Sequence, residues 1–244
     1  MKKLISLFKK NLVPALAMLT VLGFGSCLKH HWLDGNGHVV TQDRNTESFH
    51  ALNASGDYEV YFNKDSLCSV TVEAEENLLP YIETEVWDGV MHVGTKNHVN
   101  IDDHFPIKVY LRGPYLDNVK LSGSGKIVCD SLITNNLSVN LSGSGHISLC
   151  AHCNDIHAEI SGSGDLEMGG ITNESNLHIS GSGNIHSFNL QQNTCFAKIS
   201  GSGNMYVTVS DLLDATISGS GKIYYQGNPT VNTHISGSGS VIHY

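Results

Sequence analysis

Basic charge is scarce in this chain: 14 Lys and Arg stand against 23 Asp and Glu, a formal net charge of −9. That balance leaves no electrostatic footprint for nucleic acid. Tryptophan is nearly missing, with only Trp32 and Trp87, so the second half carries no Trp-lined sugar groove. No apolar run approaches the roughly 20 residues of a membrane-spanning helix; the longest, Leu12 to Phe24, is about a dozen. Catalytic signatures are missing as well. No Gly-x-Ser-x-Gly elbow occurs, and Gly123-Ser124-Gly125-Lys126 lacks the spacing and the terminal Ser or Thr of a phosphate-binding loop.

What is abundant is one tetrapeptide. Ser-Gly-Ser-Gly occurs seven times, starting at Ser122, Ser142, Ser161, Ser180, Ser200, Ser218 and Ser236, at intervals of 20, 19, 19, 20, 18 and 18 residues. A fixed period near 19 with the same turn in each copy predicts a coiled β-structure, because every circuit must bend at the same place to stack on the last. An aliphatic residue always precedes the tetrapeptide: Leu121, Leu141, Ile160, Ile179, Ile199, Ile217 and Ile235. Two positions earlier stand Val119, Val139, Ala158, Leu177, Ala197 and Ala215, with Thr233 the one exception. After the tetrapeptide and one polar residue comes Ile127, Ile147, Leu166, Ile185, Met205, Ile223 or Val241.

This is period-two alternation on both sides of a glycine corner, the mark of strands with one buried face. A flexible Gly/Ser linker would not hold aliphatic residues at fixed offsets through seven copies. A propeller would need about twice the period. The expected fold is therefore all-β: a parallel, right-handed β-helix or β-solenoid of about seven regular circuits, with a less regular β part before it. Its corner posts are Gly123, Gly125, Gly143, Gly145, Gly162, Gly164, Gly181, Gly183, Gly201, Gly203, Gly219, Gly221, Gly237 and Gly239. Stacked corners are expected to spend their backbone N–H groups on one another rather than on a bound anion.

The N-terminus reads as an export signal. Lys2, Lys3, Lys9 and Lys10 precede the apolar stretch, and Gly25-Ser26-Cys27 follows it. The cysteine after small residues resembles the lipobox of bacterial lipoproteins, with Phe24 standing where that pattern has an aliphatic residue. The resemblance implies cleavage after residue 26 and lipidation of Cys27. The mature chain would then carry 10 basic and 23 acidic residues, a formal charge of −13. An anionic lipid surface repels such a body, which leaves the lipid as its link to the membrane. Residues 27–45 are expected to form a flexible tether and 46–244 one solenoid domain, irregular over 46–121 and regular over 122–244. The expected location is the cell envelope, on the periplasmic or surface face of the outer membrane; Leu28 and Lys29 give no acidic sorting signal.

Within the first half, Phe49, Leu52, Tyr58, Val60 and Phe62 alternate about Ala54-Ser55-Gly56, a degenerate first circuit. Glu76 to Ile82 reads as a short helical turn or loop, and strands Ile82–Val86 and Val90–Gly94 flank a hairpin turn at Trp87-Asp88-Gly89. Strand Ile107–Leu111 follows, and the whole segment is expected to cap the N-terminal end. No equivalent cap follows the seventh corner, so the exposed edge is expected to pair end to end with a second copy or to lie under a returning segment.

Candidate chemical groups are few. Five cysteines remain after Cys27: Cys68, Cys129, Cys150, Cys153 and Cys195. Cys129 falls on an inward column. Cys150-Ala151-His152-Cys153 has neither a helix N-terminus for redox chemistry nor a second ligand pair for zinc, so it reads as a local disulfide or two inert thiols. His146, His152, His157, His178, His186, His234 and His243 fall mostly on outward positions, a solvated set rather than a metal site. Glu83, Glu85, Asp88, Asp102 and Asp103 are the densest acids and are read as facing water rather than Ca²⁺ or a glycosidic bond. Tyr206, Tyr224 and Tyr225 are the nearest approach to an aromatic cluster. No metal or cofactor is implied.

The lipobox, the Phe-x-x-Leu-x-Ala-Ser-Gly-x-Tyr-x-Val opening from Phe49 to Val60, the Glu-Asn-Leu-Leu-Pro-Tyr-Ile segment and the repeated Ser-Gly-Ser-Gly corners together resemble the auto-transporter adhesin, head GIN domain family over about 46–244. That resemblance implies an exported or lipid-anchored β-solenoid with adhesion as its proposed role and no established catalytic residues. The expected function is non-enzymatic: adhesin-like binding or scaffolding, with a glycan or a host or matrix surface as ligand. The alternatives are a carbohydrate-active β-helix enzyme of polysaccharide-lyase type, which needs carboxylates clustered in a groove, and a passive spacer.

Overall fold

The structure, a computed structural model, describes residues 31–97 and 99–244. The export signal and Cys27 lie outside the described residues. The regular part is the parallel solenoid that the repeat demands. Its long face stacks Asn118–Gly123, Asn136–Gly143, Asp155–Gly162, then the later halves of Asp165–Gly181, Asn184–Gly201 and Asn204–Gly219, and finally Thr230–Gly237. A second face stacks the residues that follow each corner, ending on Lys222–Gln226 and Ser240–His243.

Pairing is in register through the corner, so like residues form columns. Leu121, Leu141, Ile160, Ile179, Ile199 and Ile217 make one buried column, and Ile127, Ile147, Leu166, Ile185, Met205 and Ile223 another. The expected loose return is more ordered than its turn formers suggest. Leu132, Ala151 and Leu190 are fully buried on a short third side, and Asp165–Gly181, Asn184–Gly201 and Asn204–Gly219 run as strand through it. Its polar turns are ladders: Asn154 N and Asp155 N both donate to Asn135 O, and Asn173 N and Glu174 N to Asn154 O.

At each corner the first glycine has a positive φ, +134° at Gly162, where side chains are disfavoured. The second has none, but a Cβ on Gly164 would stand 2.6 Å from Gly145 O and 2.7 Å from Leu141 Cδ2. Layer spacing thus forbids a side chain at both positions, for different reasons.

Nine strands precede the regular part: β1 (His31–Asp34), β2 (Val39–Arg44), β3 (Ala51–Ser55), β4 (Glu59–Lys64), β5 (Ser69–Glu75), β6 (Ile82–Trp87), β7 (Val90–Thr95), β8 (Val99–Asp102) and β9 (Lys108–Gly113). β3 and β4 make the degenerate circuit, with Gly56 as its corner; they stack in parallel on Asn118–Gly123 and Lys126–Ile133. A further layer, β7 and β9, lies beneath them, also parallel. The stacking order is therefore not the chain order, since after β9 the chain passes the β3–β4 layer to start the regular coil. Antiparallel strands then close the end: β6 on β7, β5 on β9, and β2 on β5. The hairpin turn is as expected, with φ of +50° at Asp88 and +75° at Gly89, and a 3-10 turn spans Leu79–Tyr81.

The described part of the expected tether is folded. β2 is the outermost strand of the cap, and β1 pairs with β8. Arg44 fixes β2 by donating from Nη1 to Ile82 O at 2.7 Å and from Nη2 to Leu79 O at 2.7 Å. At the other end Thr230–Gly237 and Ser240–His243 pair on one side only, and inward Ile235 is 42% exposed.

Candidate functional site

The corners hold no site. Ser163 N and Gly164 N both donate to Gly143 O, at 2.9 and 3.0 Å, and the same fork recurs at Ser182, Ser202, Ser220 and Ser238. The donors that would have formed an anion nest are used by the layer below.

The sequence-level candidates are dispersed. Glu83 and Glu85 sit on β6, Asp88 in its turn, and Asp102 at the end of β8. Partial burial pushes the Asp103 carboxyl up, and the charges of Asp57, Glu75 and Asp102 push the same way. Among the described residues no three His, Cys, Asp or Glu are placed to hold a metal ion. The five described cysteines are all free. Burial pushes Cys129 and Cys195 up to about 12. Burial also raises Cys153, whose Sγ donates to Thr172 Oγ1 at 3.7 Å. A thiol held protonated is a poor nucleophile, which leaves Cys153 without redox placement. His178 lies 3.8 Å from Glu159, and His243 contacts Gly227 O at 2.9 Å.

Glu75 is the fully buried acid of the cap. Burial by itself pushes its carboxyl up, but the N–H groups of His104, Gly37 and Phe105 and the His104 ring outweigh it and hold the group below the usual carboxylate value. Glu75 thereby ties the 35–37 and 103–105 loops to β5, a structural role.

Two further surfaces lie on the regular coil. A shallow groove of about 520 Å³ runs across layers at the start of the long face, past Asp117, Asn136, Asp155, His157 and Glu174. Asn136, Asp155 and Glu174 are register partners, one per layer, so the carboxylates are spread along the rod at about 4.8 Å per layer. The second surface is aromatic. His186, Tyr206 and Tyr224 hold the same outward position in successive layers of the second face, where the three layers before them carry Glu167, Ser148 and Val128 and the two layers at the cap end carry Tyr61 and Tyr110, stacked at 5.4 Å. The His186, Tyr206 and Tyr224 rings stack at 4.9 and 5.0 Å with planes 9° and 6° apart. Phe188 and Tyr244 cross this stack edge-on. Tyr225, grouped with the other two in the sequence, points the other way and packs partly buried against the core. Alternation within Met205-Tyr206-Val207 and Ile223-Tyr224-Tyr225 carries that signal. His186, Phe188 and Tyr244 emerge only when the repeats are aligned on their corners.

A solenoid with these corners and this opening circuit is matched by the family model described as "Putative auto-transporter adhesin, head GIN domain", over residues 48–229. The chain belongs to that family. Solved structures share the fold. A putative adhesin from Bacteroides fragilis has a TM-score of 0.81 at 21% identity, covering 87% of this chain and 100% of its own. A putative lipid binding protein from Parabacteroides distasonis has a TM-score of 0.74 at 24% identity, covering 87% and 99%. A putative adhesin from Parabacteroides merdae has a TM-score of 0.70 at 25% identity, covering 88% and 99%. No protein of curated function matches.

Proposed function

We propose that the chain is a non-enzymatic, lipid-anchored envelope protein whose solenoid is a rigid adhesin-like binding body. The observation that supports it best is the aromatic surface, five rings set outside the core on one face of the coil, where the three preceding layers carry Glu167, Ser148 and Val128 instead. Anchoring rests on the basic start, the short apolar stretch and Cys27, with export through that signal and a place on the outer membrane. A second copy would pair with the open Thr230–Gly237 edge, end to end. The enzyme alternative draws on the acidic groove. Its carboxylates stand one to a layer on an open strand surface, and Asn154 Nδ2 donates to Asp155 at 2.6 Å, an arrangement that suits solvation better than acid–base work.

The test is binding of the soluble chain without residues 1–27 to glycans and matrix proteins on an array. Retention of at least one class supports the reading, and retention of none sinks it. Depolymerisation of an offered polysaccharide that Asp155→Asn or Glu174→Gln abolishes would replace it with the enzyme. Cys27→Ser is expected to move the full-length protein from the membrane fraction to the soluble one, and a variant that stays in the membrane removes the lipid anchor.

A further inference from the structure

Stacking decides which rings of the aromatic surface are free. His186, Tyr206 and Tyr224 spend their faces on each other along the rod, so only ring edges and polar tips point outward. Phe188 stands at 80° to Tyr206 with centroids 5.5 Å apart, and Tyr244 at 89° to Tyr224 with centroids 6.5 Å apart. The two lie within 32° of one another at 5.3 Å, so the half-buried Phe188 turns part of one face to Tyr244. Rings that stack along the rod have planes across it, so Phe188 and Tyr244 stand with their planes roughly along it. Tyr244 is 72% exposed. A ring face is electron-rich and attracts the C–H face of a flat, amphipathic partner. A pyranose chain laid along the rod would present that face in this orientation.

The border of the strip is hydrogen-bonding, and the column that holds Asn184 and Asn204 runs from Asp165 to Lys222, one charge of each sign. On one side Asn204 Nδ2 donates to Asn184 Oδ1 at 3.1 Å, which leaves the Asn204 carbonyl oxygen free. On the other, Thr208 Oγ1 donates to Phe188 O at 2.8 Å and lies 3.3 Å from Gln226 Oε1, with the Gln226 amide nitrogen directed elsewhere. The chain as a whole is acidic, at −9, and long-range repulsion disfavours sulfated or uronic-acid polymers.

Resting on the adhesin-like reading above, we infer that this strip is a subsite for a neutral glycan running along the solenoid. Tyr244, backed by Phe188, is the platform, and the Tyr206 and Tyr224 hydroxyls with Asn204 and Gln226 are the polar partners.

The test uses purified full-length protein titrated with neutral glucan, xylan and N-acetylglucosamine oligosaccharides, with heparin and polygalacturonate as acidic comparators. At least one neutral oligosaccharide should bind, and Tyr244→Ala and Phe188→Ala should each weaken it by about tenfold, the equivalent of one ring contact of roughly 1.4 kcal/mol. Tyr244→Phe should retain affinity, and Tyr115→Ala, whose exposed ring stacks on His50 next to the degenerate circuit, should leave it unchanged. Unaltered melting of Tyr244→Ala separates lost contact from lost fold. Neutral binding that ignores both alanine variants overturns the subsite and leaves the adhesin reading standing. Binding of acidic polymers alone overturns the ligand class. A Tyr244→Ala variant that turns a dimer into a monomer without changing glycan retention reassigns the strip to a contact between copies. Failure to retain any glycan or matrix protein removes the adhesin reading and the subsite together.

Discussion

Replacing Gly162 by alanine tests whether the repeated glycines are structural or chemical. Gly162 sits at φ +134°, and an added Cβ would lie 2.4 Å from Gly143 O. A residue held in a region of this kind costs on the order of 1–3 kcal/mol. The clash adds to that, because the oxygen it meets accepts both Ser163 N and Gly164 N. Moving the layers apart weakens two hydrogen bonds worth about 0.5–1.5 kcal/mol each. The combined loss is roughly 2–6 kcal/mol, a large part of the 5–15 kcal/mol that holds a typical domain. For a chain of this size it corresponds to a fall in Tm of about 5–20 °C. Ser163→Ala is the control: its side chain is exposed, and the change should stay within about 0.5 kcal/mol. Thermal melting by circular dichroism reads both, and exchange at the Ser163 and Gly164 amides localises the damage. A Gly162→Ala protein within about 1 kcal/mol of the parent would refute the close-stacking argument. A Ser163→Ala protein that folds normally but loses all binding would show that the corners carry chemistry after all.

Four further outcomes follow from the same geometry. Ile160→Ala empties a fully buried column position and should cost about 2–5 kcal/mol in urea unfolding, whereas Ile171→Ser, on an exposed site, should cost little. Cys129 and Cys195, buried with thiols raised to about 12, should escape iodoacetamide at pH 8 until urea is added; rapid native labelling in the mass spectrum would contradict their place in the core. Because Glu75 titrates below its ordinary 4.5 in the folded chain, its contribution is complete above that value and is lost as pH falls through the lower folded value. The parent should therefore lose more Tm than Glu75→Gln between pH 5 and 3, and parallel curves would exclude the clamp. Tyr206→Ala breaks two stacks and should cost about 1–3 kcal/mol as well as glycan affinity, whereas Tyr244→Ala should cost affinity alone; equal melting losses would mean that the strip is only glue.

The corners were legible because each part of their signal is local. Ile160-Ser161-Gly162-Ser163-Gly164 shows its strand, its turn and its buried column within five residues, and seven copies repeat it. The cap was legible as strands but not as an arrangement. β2 reads Val-Val-Thr-Gln-Asp-Arg, polar enough to pass for tether, because an end strand covers the core partly with hydrogen-bonding side chains such as Arg44. Its partner β5 lies some thirty residues on and runs antiparallel, so no local periodicity betrays the pairing. The β7–β9 layer beneath β3–β4 is hidden for the same reason: parallel register between distant strands leaves no mark on either alone.

The aromatic strip was hidden by the regularity that revealed the fold. In a solenoid the inward columns are constrained by every layer above and below, as the unbroken run from Leu121 to Ile217 shows. Outward positions are not pressed between the layers of the core, so they can change without disturbing the coil. A binding surface in such a protein is therefore marked by an outward column that changes character partway along the rod while the inward columns do not. At one position a stacked pair at the cap end, Tyr110 and Tyr61, gives way to Val128, Ser148 and Glu167 and then to His186, Tyr206 and Tyr224, and Phe188 and Tyr244 close over that last stretch. The Ile185, Met205 and Ile223 column directly behind it stays fully buried. The column behind thus does not call for the change, so stacking along the rod and contact outside the chain are the two roles left for those rings, and the melting and affinity of Tyr206→Ala and Tyr244→Ala tell them apart.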